Sequence, residues 1–163
     1  MKLISFVCVL ALSLPSAVAA RDQQGKPPAA AAKTAKGGRV IRITGSDTMK
    51  FDVMRIDAKP GERLRVVLRA VGQMPKLAMA HNFVLLKAGV DPNEFNKAAM
   101  TARDTDFIPP ALKNQVHAFT PLAGAGETVE VTFTAPTKPG TYTYLCSFPA
   151  HFLMGMKGEL VVK

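Results

Sequence analysis

The stretch that decides the fold is Tyr144-Leu-Cys-Ser-Phe-Pro-Ala-His-Phe-Leu-Met-Gly-Met-Lys-Gly-Glu-Leu-Val-Val162. It predicts a strand end, a tight loop and a last strand, because apolar strand formers flank a segment that contains Pro and Gly. Cys146, His151 and Met156 lie in this loop and offer a thiolate, an imidazole and a thioether within eleven residues. Such side chains are ligands for a soft or borderline metal ion.

A second imidazole, His81, lies in the apolar segment Ala78-Met-Ala-His-Asn-Phe-Val84. Two histidines, one cysteine and a distant methionine form the ligand set of an electron-transfer copper centre. Zinc is the alternative metal, but closed zinc sites usually take four strong ligands and only three are present here. The third histidine, His117, is predicted to lie at the start of a strand as a surface or edge residue.

The rest of the chain predicts an all-β domain with one helical excursion. Alternating or apolar segments predict strands at Arg39–Thr44, Lys50–Ile56, Arg63–Arg69, His81–Lys87, from about His117, and at Glu127–Thr134, Thr141–Cys146 and Gly158–Lys163. The segment Asp91-Pro-Asn-Glu94 predicts a helix start with a cap, a first-turn proline and a capping-box glutamate, and the helix is expected to run to about Arg103. The expected architecture is a β-sandwich of about eight strands with one short helical flap.

The N-terminal region predicts export. Residues 1–20 have a basic start, a short apolar run and the small-residue cleavage signal Ala17-Val-Ala19, which are typical of a signal peptide. The apolar run is too short to cross a membrane, so no membrane insertion is expected and the protein is predicted to be periplasmic or secreted. Residues 21–38 are rich in Ala, Pro, Lys and Gly and predict a disordered linker, which leaves residues 39–163 as one domain.

The two cysteines have different expected fates. Cys8 lies in the predicted signal peptide, so Cys146 is the single cysteine of the exported protein and no disulfide can form within one chain. A lone thiol in an oxidising compartment needs protection, and a bound metal ion provides it.

The chain is basic, with 21 Lys and Arg against 12 Asp and Glu and a formal net charge of +9. The basic residues are scattered along predicted strands and do not alternate with aromatic residues, which argues against nucleic acid as a partner. A positive surface attracts partners with acidic docking surfaces.

Three segments together give the chain a family resemblance: Gly-Ser-Asp-Thr-Met-Lys-Phe at 45–51, Met-Pro-Lys-Leu-Ala-Met-Ala-His-Asn-Phe-Val-Leu at 74–85, and the loop with its last strand at 146–162. In these segments the chain resembles the cupredoxins, in particular the azurins, from about Arg39 to Lys163. The resemblance implies a Greek-key β-sandwich. It also implies an exported one-electron carrier with one type-1 copper that cycles between Cu(I) and Cu(II), and no enzymatic activity.

The resemblance implies a ligand for each position of such a site. His81, Cys146 and His151 are the expected equatorial ligands, and a methionine is the expected axial ligand. Azurins have three residues between the loop histidine and this methionine. Here two residues separate His151 from Met154, and four separate His151 from Met156. The longer spacing resembles that of auracyanins, and Met156 leads directly into the last strand. Met156 is therefore expected as the axial ligand, with Met154 as the alternative.

The resemblance also implies supporting contacts. Asn82 is expected to brace the ligand-bearing loops, and the backbone N–H of Phe148 is expected to approach the Cys146 sulfur; such contacts tune a metal site. Azurins have a glycine before the first histidine, and its carbonyl approaches the metal. Ala80 takes that position here, and its carbonyl is the candidate for the corresponding weak backbone contact.

An apolar docking patch is expected around the exposed edge of His151. The residues assigned to it are Met49, Met74, Met79, Phe148, Pro149 and Ala150. The expected partners are redox proteins such as c-type cytochromes or copper and haem oxidoreductases, and the carrier is expected to be a monomer. The alternative function is a periplasmic copper chaperone or storage protein, which would need an open and exchangeable site.

Overall fold

The computed structural model describes residues 37–163. The predicted signal peptide, and the predicted linker up to residue 36, lie outside the described residues. Within residues 37–163, no helix is both long enough and apolar enough to cross a membrane.

The described chain forms nine strands and one α-helix. The strands are β1 Arg39–Ser46, β2 Lys50–Phe51, β3 Arg55–Ala58, β4 Arg63–Val71, β5 Val84–Leu86, β6 Val116–Phe119, β7 Thr128–Thr134, β8 Gly140–Leu145 and β9 Lys157–Val162. The helix α1 is Pro92–Ala99, and short 3-10 helices follow it at Arg103–Thr105 and Pro110–Gln115.

The strands form two mixed sheets, with the orders β2-β1-β4-β7 and β3-β9-β8-β5-β6. In the first sheet β1 runs parallel to β4 and antiparallel to β2, and in the second β3 runs parallel to β9. The predicted all-β Greek-key sandwich with a short helix is confirmed.

The strand count is nine because the segment predicted as one strand at Lys50–Ile56 changes sheets. Its first part, β2, pairs with β1, and its second part, β3, pairs with β9 in the opposite sheet. The crossing backbone is held by the buried Tyr144, whose hydroxyl donates a hydrogen bond to the Val53 carbonyl at 2.6 Å.

The core lies between the two sheets. Every second residue of β4 is buried, as the alternation in its sequence predicts, because successive strand side chains point to opposite faces. Fully buried side chains from both sheets meet in one cluster, among them Leu64, Val66, Leu68, Leu85, Tyr144 and Leu160.

The helical excursion begins as predicted but ends earlier. Asp91 caps α1 by accepting a hydrogen bond from the Asn93 backbone N–H at 2.8 Å. The helix ends at Ala99 instead of near Arg103. Beyond it the chain turns back, and Phe107, with φ 58°, enters the core. Burial of this apolar side chain overrides the helical preference of the preceding residues.

Candidate metal centre

Three potential ligands converge in the interior. His81, Cys146 and His151 are each at most 1% exposed, and their nitrogen and sulfur atoms all lie within 4.8 Å of one another. The two Nδ1 atoms are 3.2 Å apart, and the Cys146 Sγ lies 3.4 Å from Nδ1 of His151. One sulfur and two nitrogen donors that face a common point fit a metal that accepts both imidazole and thiolate, as copper does.

His81 comes from a different part of the chain than the other two. It precedes β5 and forms an isolated antiparallel bridge with Ala123, with hydrogen bonds of 2.9 and 2.8 Å between the two backbones. The predicted strand at His81–Lys87 is shorter in the structure, because only Val84–Leu86 pairs as a strand. The bridge nevertheless fixes the backbone of His81, and this limits the positions that its imidazole can take.

The loop between β8 and β9 carries the other two donors. Leu145 pairs with Lys157, so residues 146–156 close a loop between neighbouring antiparallel strands. The Cys146 N–H donates to the Met156 carbonyl at 3.0 Å, and the Met156 N–H donates to the His151 carbonyl at 2.9 Å. These backbone bonds tie the three residues of the loop to one another before any metal binds.

Burial sets the protonation of the donors. Loss of solvation lowers the pKa of His151 to about 4, with a smaller contribution from nearby His81, and it also lowers the pKa of His81. Burial raises the pKa of the Cys146 thiol to about 12. At neutral pH the imidazoles are therefore neutral and ready to bind a metal, whereas the thiol must release its proton.

Backbone groups surround the sulfur. N–H groups of Asn82 and Phe148 hydrogen-bond Cys146 and lower its pKa, in opposition to the larger effect of burial. The Ala80 carbonyl lies 3.9 Å from the Cys146 Sγ. The approach of Phe148 was expected from the sequence, whereas the N–H of Asn82 was missed, since no sequence signal marks a backbone donor.

The two candidate methionines occupy different environments. Met156 is fully buried, and its terminal methyl group and the His81 ring approach the same point beside Gly45. Met154 is 52% exposed, and its carbonyl accepts a hydrogen bond from the Lys50 ammonium. Only Met156 therefore has its side chain next to the donor set.

Asn82 links three segments. Its Nδ2 donates to the Ser147 Oγ at 2.8 Å and to the Asp106 carbonyl at 3.1 Å, and its Oδ1 accepts from the Ser147 N–H at 2.9 Å. The segment of His81, the loop of Cys146 and the helical excursion therefore meet at one buried amide.

The residues assigned to the docking patch differ in exposure. Met74 and Ala150 are exposed, Met49, Met79 and Pro149 are half-buried, and Phe148 is 9% exposed. His151 is only 1% exposed, so its ring lies beneath the surface, where it contacts the Phe148 ring with centroids 4.8 Å apart.

Two further exposed apolar side chains were missed. Leu77 is 82% exposed in the segment before His81, and Leu153 is 67% exposed beside Met154 on the ligand loop. Their sequence signal was their position next to the ligands, but an apolar residue in a loop predicts burial as readily as exposure.

A mostly β sandwich with a buried histidine-cysteine-histidine donor set defines a cupredoxin, a class of copper-binding proteins. The family model of copper binding proteins of the plastocyanin/azurin family matches residues 39–163. The chain belongs to this plastocyanin/azurin family of copper-binding proteins.

Individual relatives agree with this assignment. Azurin iso-2 of Methylomonas sp. (strain J) is 37% identical over 121 residues, which are 72% of this chain and 92% of that protein. Auracyanin-B of Chloroflexus aurantiacus is 45% identical over 87 residues, but these are 53% of this chain and only 37% of that protein. The crystal structure of reduced auracyanin from Roseiflexus castenholzii has a TM-score of 0.68 and 31% identity, and the match covers 76% of this chain and 96% of that one.

Proposed function

We propose that the protein is an exported carrier of single electrons, with His81, Cys146 and His151 as equatorial copper ligands and Met156 as the axial ligand. The observation that carries the proposal is the buried convergence of the three strong donors within 4.8 Å. Bound copper supplies the redox chemistry, because it takes up and releases one electron. The protein acts on no substrate, and the azurins and auracyanins that it matches are electron carriers and not enzymes.

The chain contributes a rigid and dry ligand frame. The Ala123 bridge holds His81, and the backbone bonds of the ligand loop hold Cys146 and His151. A frame that moves little between two oxidation states lowers the cost of electron transfer. Voltammetry tests the function directly: the copper-loaded protein is expected to give one reversible one-electron wave, and the zinc-loaded protein none.

The copper chaperone alternative is not supported. The family members that the chain matches are azurins and auracyanins, and the described donor set is buried instead of open. An exchangeable site would need ligands that an incoming partner can reach.

The axial role gives a prediction with a matched control. We expect Met156→Leu to keep copper bound and to raise the reduction potential by about 60 mV or more, which corresponds to a tenfold change in the ratio of Cu(II) to Cu(I) affinity. The reason is that the axial ligand tunes the potential of such sites more than it holds the metal. Met154→Leu is the control, and voltammetry of both variants is the measurement. A larger shift for Met154→Leu would transfer the axial role to that residue.

We infer that electrons leave through His151 and that the apolar patch above it is the docking surface. The Phe148 ring contacts His151, and exposed apolar side chains lie on both flanking segments, at Met74 and Leu77 and at Leu153 and Met154. Exposed apolar side chains grouped in this way are typical of a protein interaction site.

The docking role predicts slower electron exchange in Met79→Lys. The new ammonium must lose its hydration when two surfaces meet, and it repels a second copy of this basic protein. Self-exchange at several salt concentrations is the measurement, and the visible spectrum is expected to stay unchanged. Met100→Lys adds the same charge just after α1 and is the matched control. Equal rates for wild type and Met79→Lys at low salt would show that electrons leave elsewhere.

We also propose that the protein works in the periplasm or is secreted, and that it exchanges electrons with c-type cytochromes or copper and haem oxidoreductases with acidic docking surfaces. The support is the basic charge of the chain and the signal-like segment at 1–20.

Export predicts a defined mature chain. We expect intact-mass measurement of protein from the exported fraction to give a chain that begins at Ala20 or Arg21, because the small-residue cleavage signal Ala17-Val-Ala19 lies directly before these residues. A mass that includes residues 1–20 would contradict the prediction.

A further inference from the structure

Gly45 lies where β1 passes the metal centre. A Cβ atom at this position would lie 2.9 Å from Cε of Met156 and 3.0 and 3.1 Å from Cγ and Cδ2 of His81. Carbon atoms in favourable contact are about 3.5–4.0 Å apart, so each of these approaches is too close. The strand is extended at Gly45, where it pairs with Ala70 of β4 and Phe51 of β2. Glycine is therefore required for space and not for an unusual backbone conformation.

The His81 side of this contact cannot easily yield. The backbone of His81 is hydrogen-bonded in both directions to Ala123. The segment before it is anchored to the β1–β2 turn, where the Asp47 carboxylate accepts from the N–H groups of Gln73 and Met74 at 2.8 and 3.4 Å. A shift of the imidazole away from β1 would strain these bonds.

The Met156 backbone is also fixed, whereas its side chain is the more adaptable of the two neighbours of Gly45. Cys146 and His151 hydrogen-bond the Met156 backbone, and the Lys50 ammonium of β2 binds the Met154 carbonyl from outside the loop. A methionine side chain has three rotatable bonds and adapts readily to its surroundings. A group added at Gly45 would therefore displace the thioether before it displaced any other ligand.

We propose that Gly45 is a positioning residue for the axial ligand: because it has no Cβ, the Met156 side chain can lie against β1, and this placement of the thioether tunes the reduction potential. The inference rests on the axial role proposed for Met156. Gly45 is buried and has no side chain to bind a metal, so it acts through Met156.

The test is Gly45→Ala. We expect copper to remain bound, the visible spectrum to change, and the ratio of Cu(II) to Cu(I) affinity to shift at least threefold toward Cu(I), which corresponds to a rise of about 30 mV. In the copper-free protein labelled with 13C-methyl methionine, the Met156 methyl resonance is expected to move. Ser46→Ala is the control, because its hydroxyl hydrogen-bonds Thr48 on the exposed side of the turn, and it is expected to change none of these quantities.

The double variant Gly45→Ala with Met156→Leu tests whether Gly45 changes the reduction potential through the Met156 side chain. Leucine lacks the terminal methyl group, so the two potential shifts are expected to be non-additive. If Gly45→Ala alone does not fold, the double variant is expected to recover folding, and persistent misfolding would overturn the proposal. An unchanged potential in Gly45→Ala, while Met156→Leu shifts it, would overturn the role of Gly45 and leave the proposed function intact. No shift in either variant would overturn the axial role of Met156 and the inference with it.

Discussion

Cys146→Ser is expected to abolish the visible colour of the copper-loaded protein completely. The colour of such centres comes from charge transfer between a thiolate and copper, and Cys146 is the single cysteine among residues 37–163. A serine hydroxyl does not ionise at neutral pH and is a poorer ligand for copper than thiolate. Absorption spectra recorded during copper titration of wild type and variant measure the loss.

Two comparisons separate this loss from a folding defect. Copper-free Cys146→Ser is expected to keep a cooperative thermal transition, because the substitution changes one buried atom and leaves the hydrophobic core intact. Cys8→Ser changes the only other cysteine, which lies in residues 1–20, and is expected to leave the colour as in wild type. Persistent intense colour in Cys146→Ser would mean that sulfur from another residue holds the metal.

The ligand loop could be recognised from the sequence because its geometry is local. Cys146 and His151 are five residues apart between two strands that pair directly, so the hairpin itself brings them together. His81 was recognisable only by residue type and resemblance, since its position depends on the distant bridge to Ala123.

Element boundaries were less predictable because they depend on pairing partners. Gly45 and Ser46 look like a turn, yet they continue β1 because Ala70 and Val71 of β4 pair with them. Local propensity favours a turn at such residues, and tertiary pairing overrides it. The glycine that crowds Met156 and His81 was missed for the same reason: spacing in the sequence does not reveal which strand passes a distant loop.

The hydrogen-bond partners of Asn82 were only partly predictable. A brace between the ligand-bearing loops was expected, and the bonds to Ser147 agree with it. The bond to the Asp106 carbonyl was not expected, because Asp106 adopts a left-handed conformation with φ 53° after a 3-10 turn that the sequence did not indicate. One amide therefore couples the helical excursion to the metal centre.

Asn82→Ala is expected to destabilise the copper-free protein by about 2–4 kcal/mol, because net hydrogen-bond contributions are about 1 kcal/mol each and a buried donor left without a partner costs a further 1–3 kcal/mol. The variant leaves the Ser147 N–H without its acceptor in the interior and removes the donor to the Asp106 carbonyl. Thermal and urea unfolding of the copper-free protein measure the stability, and copper titration is expected to show weaker binding because the two ligand-bearing segments are no longer tied together.

Asn96→Ala is the matched control for this prediction. Asn96 is also a buried asparagine, 3% exposed on α1, but its Oδ1 has no hydrogen-bond partner among residues 37–163. Its removal therefore leaves no backbone donor without an acceptor and is expected to cost less stability and no copper affinity. If Asn82→Ala and Asn96→Ala lowered stability and affinity equally, the effect would come from the lost volume of a buried amide. A larger loss of stability and copper affinity in Asn82→Ala would show that the effect comes from the hydrogen bonds that hold the loops of His81 and Cys146 together.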